Sequence, residues 1–326
     1  MHTVRLVISL VSQLAAYTEE GVALAPSVFI CNSVSRLIHM GGAGEYVPLG
    51  TGAETEGAAG KILKAAAPLC SGIWRIYVER SADGATCNFG VFCGSSDPSS
   101  FTVDETLLQG VDENFPIIRI AQSVVNKVEV RTSSGSGIEF RFNSDADISQ
   151  LDNQSKVSKL SSAACSDIIP DDESFARFVE RVLSAAIRDS HGTLLVVVPA
   201  SRGSVPDQLS DVLPISPPVD LYERYQLHLS ENKTAISVSR LQAAAELLAG
   251  LINSDGITVL DTRGRILGYR AFVKSDEPAK PSEGGARTRA YAALTALVGP
   301  VLKAAFFRSQ DGRMDLKVSA GSSTNA

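Results

Sequence analysis

The run Thr193-Leu194-Leu195-Val196-Val197-Val198 decides the fold. It shows no alternation of apolar and polar residues, and it is bounded by Ser190-His191-Gly192 before it and Pro199 after it. A short β-branched run of this kind suits a strand buried on both faces, as in a sheet flanked by helices. Upstream, Asp172 or Ser174 is placed to cap a helix in which Phe175, Phe178, Val179, Val182, Ala185 and Ala186 share one face. Downstream, after a proline-containing connection over 199–218, Leu241, Ala244, Ala245, Leu248 and Leu251 build a second helix, roughly 238–251.

Working outward, Asp255-Gly256 opens a strand over 257–260, and Asp261-Thr262-Arg263-Gly264 turns it into a hairpin with 265–273. A polar, proline-bearing surface loop spans 274–283, a helix runs from about Arg287 to Val298, and Ala304-Ala305-Phe306-Phe307-Arg308 closes the sheet. The residues from Ser319 onward are small and polar and read as a disordered tail. The fold class expected is therefore α/β (α+β), with a central mixed sheet flanked by helices in this half.

The first half reads differently. Apolar residues at helical spacing predict a helix over 4–16, while periodicity leaves 27–40 open between strand and helix. Residues 41–61 read as a glycine-rich loop before a short helix over 62–69. The stretch Gly57-Ala58-Ala59-Gly60-Lys61 is not a phosphate loop, because Thr55 stands where that motif needs glycine and Ile62 where it needs Ser or Thr. Two antiparallel hairpins follow, 73–78 with 88–92 and 127–131 with 138–142. Glu129, Arg131, Glu139 and Arg141 are then cross-strand surface pairs. The organisation expected is an α+β regulatory or docking domain over 1–145, a Ser- and Asp-rich linker over 146–170, and a second domain over 171–318.

Composition narrows the function classes. The 326 residues carry a net charge of −6, which argues against general affinity for nucleic acid. Hydrophobic content of 44% is that of an ordinary globular protein, and the amino terminus is too short and too interrupted by Arg5 for a membrane span. Five cysteines, none closer than six apart in sequence, form no CxxC pair and point to a cytoplasmic setting.

The chemistry concentrates between Asp255 and Ala290. An acidic residue at a strand mouth, followed about thirty residues later by Arg287 and Arg289 at a helix start, is what a site for metal-bound phosphate needs. Asp255 offers hard carboxylate oxygens of the kind that hold Mg²⁺ or Mn²⁺, and Gly256 would let the backbone come close to a nucleotide.

In the order His191-Gly192-Thr193-Leu194-Leu195-Val196-Val197, Asp255-Gly256-Ile257, Gly285-Ala286-Arg287-Thr288-Arg289-Ala290-Tyr291 and Ser309-Gln310, the second half resembles the diadenylate cyclase (DAC) domain. That family condenses two ATP into cyclic di-AMP and carries Asp-Gly-Ala, Gly-Thr-Arg-His-Arg-Ala-Ala and Ser-Glu at these places. The resemblance implies a site formed by Asp255, Gly256, Ile257, Arg287, Thr288, Arg289, Ser309 and Gln310. It further implies a metal at Asp255 if the domain is catalytic, and a homo-oligomer, since two such domains must face each other to join two nucleotides. The sequence departs from the family at Ile257, Ala286, Thr288 and Gln310, the last replacing a carboxylate by an amide. The expectation is accordingly a protein that binds ATP or a cyclic nucleotide as a sensor. An active metal-dependent cyclase is the alternative.

Overall fold

The computed structural model describes residues 2–18, 26–40, 44–70, 73–82, 84–95, 97–100, 115–124, 126–134, 136–142, 148–168, 172–274 and 285–319. The chain divides into two compact units, 1–148 and 149–326. Each is built on a mixed seven-stranded sheet, so the α/β class expected from the sequence holds in both.

The first unit contains helix α1 (His2–Ala15), strand β1 (Ser27–Cys31), helix α2 (Val34–Met40), β2 (Glu45–Ala53) and helix α3 (Ala58–Ala66). β3 (Trp74–Arg80), β4 (Thr86–Cys93), β5 (Ile118–Val124), β6 (Lys127–Thr132) and β7 (Gly137–Arg141) complete it. The strand order is β2-β4-β3-β1-β5-β6-β7, with β1 and β3 parallel. Leu6, Leu10 and Leu14 of α1 and Ile62 and Leu63 of α3 pack on one sheet face with Val28, Ile76, Phe89 and Val128. On the other face α2 sets Val34 and Leu37 against Phe29, Tyr77 and Phe92.

Both expected hairpins are present. The undecided stretch 27–40 is a strand followed by a helix. The glycine-rich 41–61 region is corrected: it contains β2, an edge strand whose residues are mostly exposed, so burial leaves no apolar alternation to detect. Lys61 lies within α3, where its ammonium donates to the Thr51 carbonyl at 2.9 Å.

The second unit contains helices α4 (Ile148–Ala164) and α5 (Glu173–Asp189), strands β8 (Thr193–Val198), β9 (Leu209–Ser210) and β10 (Leu213–Asp220), and helices α6 (Leu221–Ser230) and α7 (Ala235–Ile252). β11 (Ile257–Asp261), β12 (Arg265–Val273), α8 (Ala286–Leu297), β13 (Ala304–Arg308) and β14 (Met314–Val318) follow. The order is β10-β12-β11-β8-β13-β14, with β9 alongside β12. β8 is central and fully buried, parallel to β11 and antiparallel to β13. Alternate residues of β8 feed two cores. Leu195 and Val197 meet α4, α5, α6 and α7, whereas Leu194, Val196 and Val198 meet α8.

Asp172 caps α5 by accepting from the Phe175 N–H at 2.9 Å and also binds the Gln226 side chain at 2.8 Å, fastening α6. The buried face of α5 runs Phe175, Phe178, Val179, Leu183, Ala186 and Ile187; the expected Val182 packs half-buried at its border, while Ala185 is exposed. The linker reading of 146–170 is corrected: 148–164 is helix α4, with Val157, Leu160, Ala163 and Ala164 in the core. The 199–218 connection holds β9 and most of β10. Neither α6 nor β14 was expected. By length and composition α7 is apolar enough to cross a membrane, yet its Leu241, Ala244, Leu248, Leu251 and Ile252 lie in the core beside α5. The loop reading of 274–283 and the tail reading fall mostly outside the described residues.

Candidate functional site

The parallel pairing of β8 and β11 aligns their amino-terminal ends, with Ile257 beside Leu194. Because β13 runs antiparallel to β8, its carboxy-terminal end arrives at the same edge, with Arg308 beside Thr193. Gly192, Asp255, Gly256, Ser309 and Gln310 therefore surround one mouth of the sheet. Helix α8 covers the adjoining face: Tyr291 stacks on Phe307 with centroids 5.4 Å apart, and Leu294 is fully buried. Burial, reinforced by Asp315, pushes the Tyr291 phenol well above its ordinary value, which keeps this anchor neutral.

Anchored there, α8 directs its amino terminus at the mouth. Its first turn has no acidic residue, and its cap, Gly285, supplies no side-chain bond. The first intrahelical bond runs from the Arg289 N–H to the Gly285 carbonyl at 3.2 Å, so the preceding amides have no intrahelical partner. Arg287, in this turn, places one terminal nitrogen 3.6 Å from Asp255 Oδ1, with 41% and 76% of the two side chains exposed. Its other face reaches Gly192, where a Cβ would come within 3.4 Å of Arg287 Nη1. Thr288 and Arg289 are exposed on the same turn.

Gly192 closes the gap between β8 and the end of β13. Its φ is +114°, and a Cβ would stand 3.2 Å from the Arg308 carbonyl oxygen and 3.3 Å from the Gln310 amide nitrogen. Glycine is thus needed for both conformation and space. Beside it, Arg308 donates to the buried Ser190 hydroxyl at 3.2 Å, tying β13 to the end of α5.

Several expected site residues have other duties. Ile257 is 1% exposed, and its side chain belongs to the α8-side core. Gly256 has φ +90°, and its missing Cβ would lie 2.8 Å from Arg270 Cα; the close approach it permits is to the β12 backbone. Ser309 serves the β13–β14 turn, its N–H donating to the Arg313 carbonyl at 2.8 Å and its hydroxyl to the same oxygen at 3.1 Å. That hydroxyl also helps hold the Asp311 carboxyl below the ordinary range. Gln310 is exposed at the turn.

The arrangement brings together Asp255, Arg287, Thr288, Arg289 and Gln310 around a helix amino terminus, and it leaves Ile257 in the core. Gly192 and Arg308 are additions that motif reading passed over; a glycine directly before a continuous β-branched run was the available signal. Among the described residues no three His, Cys, Asp or Glu side chains gather to hold a metal, and Asp255 already faces a guanidinium. No family model matches the chain, and a comparison with curated proteins finds no match.

Proposed function

We propose that the second unit binds the phosphates of ATP or a cyclic dinucleotide at the mouth formed by Gly192, Asp255, Arg287 and Gln310, and acts as a sensor without turning the nucleotide over. The observation that carries this reading is Arg287, half-exposed in an α-helical first turn that contains no acid, beside an edge where glycine brings the backbone close. Amides without an intrahelical partner, the helix field and a guanidinium converge on one point, and that combination suits a phosphoryl group. Asp255 meets Arg287 in a solvated pair that an incoming anion can readily displace. Gln310 offers an amide that can donate to a phosphate oxygen or to a base. The resemblance to the diadenylate cyclase domain supports the nucleotide as the source of that phosphate.

Calorimetric titration of the full chain with ATP, cyclic di-AMP and other cyclic dinucleotides tests the reading. Binding is expected, and Arg287→Ala should weaken it roughly tenfold or more, the worth of a charge-assisted hydrogen bond. Absence of heat with every nucleotide sinks the proposal. Incubation with ATP and Mg²⁺ or Mn²⁺ separates the two readings. Pyrophosphate release that disappears in Asp255→Asn would replace the sensor by a cyclase.

A further inference from the structure

The first unit ends in an edge strand that is poorly protected. The opposite edge, β2, carries Pro48 and a register irregularity between Pro48 and Gly50, devices that blunt an edge. By contrast β7 pairs with β6 in unbroken register from Gly137 to Arg141 and is exposed throughout. Ile138, Phe140 and, just past the strand, Phe142 are 63%, 40% and 45% exposed. Ile138 and Phe140 stand on the same sheet face as their cross-strand partners Val130 and Val128, of which Val128 is fully buried. Among the described residues of this unit, the apolar surface of the core therefore continues onto the edge.

The backbone at this edge is oriented as well. Phe142 N–H donates to the Asn126 carbonyl at 2.9 Å, so residues 142, 140 and 138 direct their backbone groups at β6. Gly137, Glu139 and Arg141 direct theirs outward. An added antiparallel strand must match outward-directed residues to outward-directed residues, which restricts its register.

We propose that β7 pairs antiparallel with β7 of a second copy of this chain, centred on Phe140. In this register Glu139 lies opposite the partner's Arg141, Ile138 opposite the partner's Phe142, and the two Phe140 side chains meet on the two-fold axis. Glu139 and Arg141 then exchange backbone hydrogen bonds with their opposite numbers, and their charges are complementary. The neighbouring allowed registers set Glu139 against the partner's Glu139, or Arg141 against the partner's Arg141, and both are repulsive. Within one chain Glu139 already bonds Lys127 at 2.8 Å and Arg141 at 2.6 Å, so the partner's Arg141 joins an existing ion network. The inference does not depend on the nucleotide reading, because it rests wholly on the first unit.

The solution mass of the full chain, measured by light scattering, should be twice the 34.4 kDa chain mass and should fall to that mass in Phe140→Asp. A register test uses single cysteines, which is possible because all five native cysteines are buried. Phe140→Cys places the two Cβ atoms about 4.5–5.5 Å apart across the axis and should cross-link under mild oxidation. Ile138→Cys puts them four residues out of register, about 14 Å along the strand, and should not. A monomeric native chain, as would result if another segment of the same chain covers β7, overturns the proposal. So does a dimer that survives Phe140→Asp, or cross-linking of Ile138→Cys equal to that of Phe140→Cys.

Discussion

At the residue scale, the two glycines of the mouth separate binding from folding. Gly256 and Gly192 both have φ in the left-handed region, +90° and +114°. At Gly256 the obstacle to a side chain is the Cα and carbonyl carbon of Arg270, at 2.8 and 2.9 Å, and Arg270 itself holds φ 55°. Backbone cannot swing aside as a side-chain end can. Gly256→Ala should therefore lower stability by about 1–3 kcal/mol, the cost of a strained backbone position. Chemical denaturation measures this, and an unchanged midpoint would refute it. Arg287→Ala should do the reverse, leaving the denaturation midpoint in place while nucleotide affinity falls, since its ion pair with Asp255 is largely solvated. The sequence made Asp255 and the arginines legible because charge at a strand mouth and a helix start has a short chemical vocabulary. It did not reveal that Gly256 answers to β12 or that Ser309 answers to Arg313. Those duties arise from a bulged hairpin, which brings Arg270 back to Gly256, and from a local turn whose backbone bonds leave no mark in residue type.

At the element scale, legibility followed burial. β8 was readable because all six of its residues are buried, and β3, β4, β6 and β7 because alternation marks their faces. Helix α4 was not, since Ser, Lys and Asn interleave with the few apolar side chains that reach the core. β2 was missed because Pro48, Gly50 and Gly52 break its apolar run, and β14 although Met314, Leu316 and Val318 alternate with Asp315 and Lys317. α4 nonetheless contributes Val157, 6% exposed, and Leu160, fully buried, to the main core of the second unit. Burial of an aliphatic side chain stabilises by about 1.5–3 kcal/mol, so losing these two removes roughly 3–6 kcal/mol. A fragment starting at residue 171 should accordingly unfold at lower denaturant than one starting at residue 149. Equal midpoints for the two fragments would show that α4 is dispensable. Against a typical total of about 5–15 kcal/mol the difference decides whether the shorter fragment is usable for binding studies at all.

At the scale of the whole molecule, the buried thiols give stability a direction with pH. Cys31 and Cys70 lie in the first unit and Cys165 in the second; burial pushes Cys31 and Cys165 from 9.0 up to about 12 and Cys70 to about 11. Well below pH 9 these thiols are neutral whether the chain is folded or not, and they leave stability unchanged. Between pH 9 and 11 the unfolded chain releases protons that the folded chain retains, so unfolding is favoured as pH rises. Each such thiol then costs up to about 1.36 kcal/mol per pH unit. Tyr77, raised from 10.0 to about 12 chiefly by burial, adds to the slope only above pH 10. The interval from pH 9 to 10 thus isolates the cysteines from the tyrosine. Denaturation midpoints should be flat from pH 7 to 8.5 and fall beyond 9, and Cys165→Ala should make the fall shallower in the transition of the second unit while costing little at pH 7. A slope that Cys165→Ala leaves untouched would mean that its thiol ionises as readily inside the fold as outside it, contrary to its complete burial beside Leu160 and Phe178 in one core.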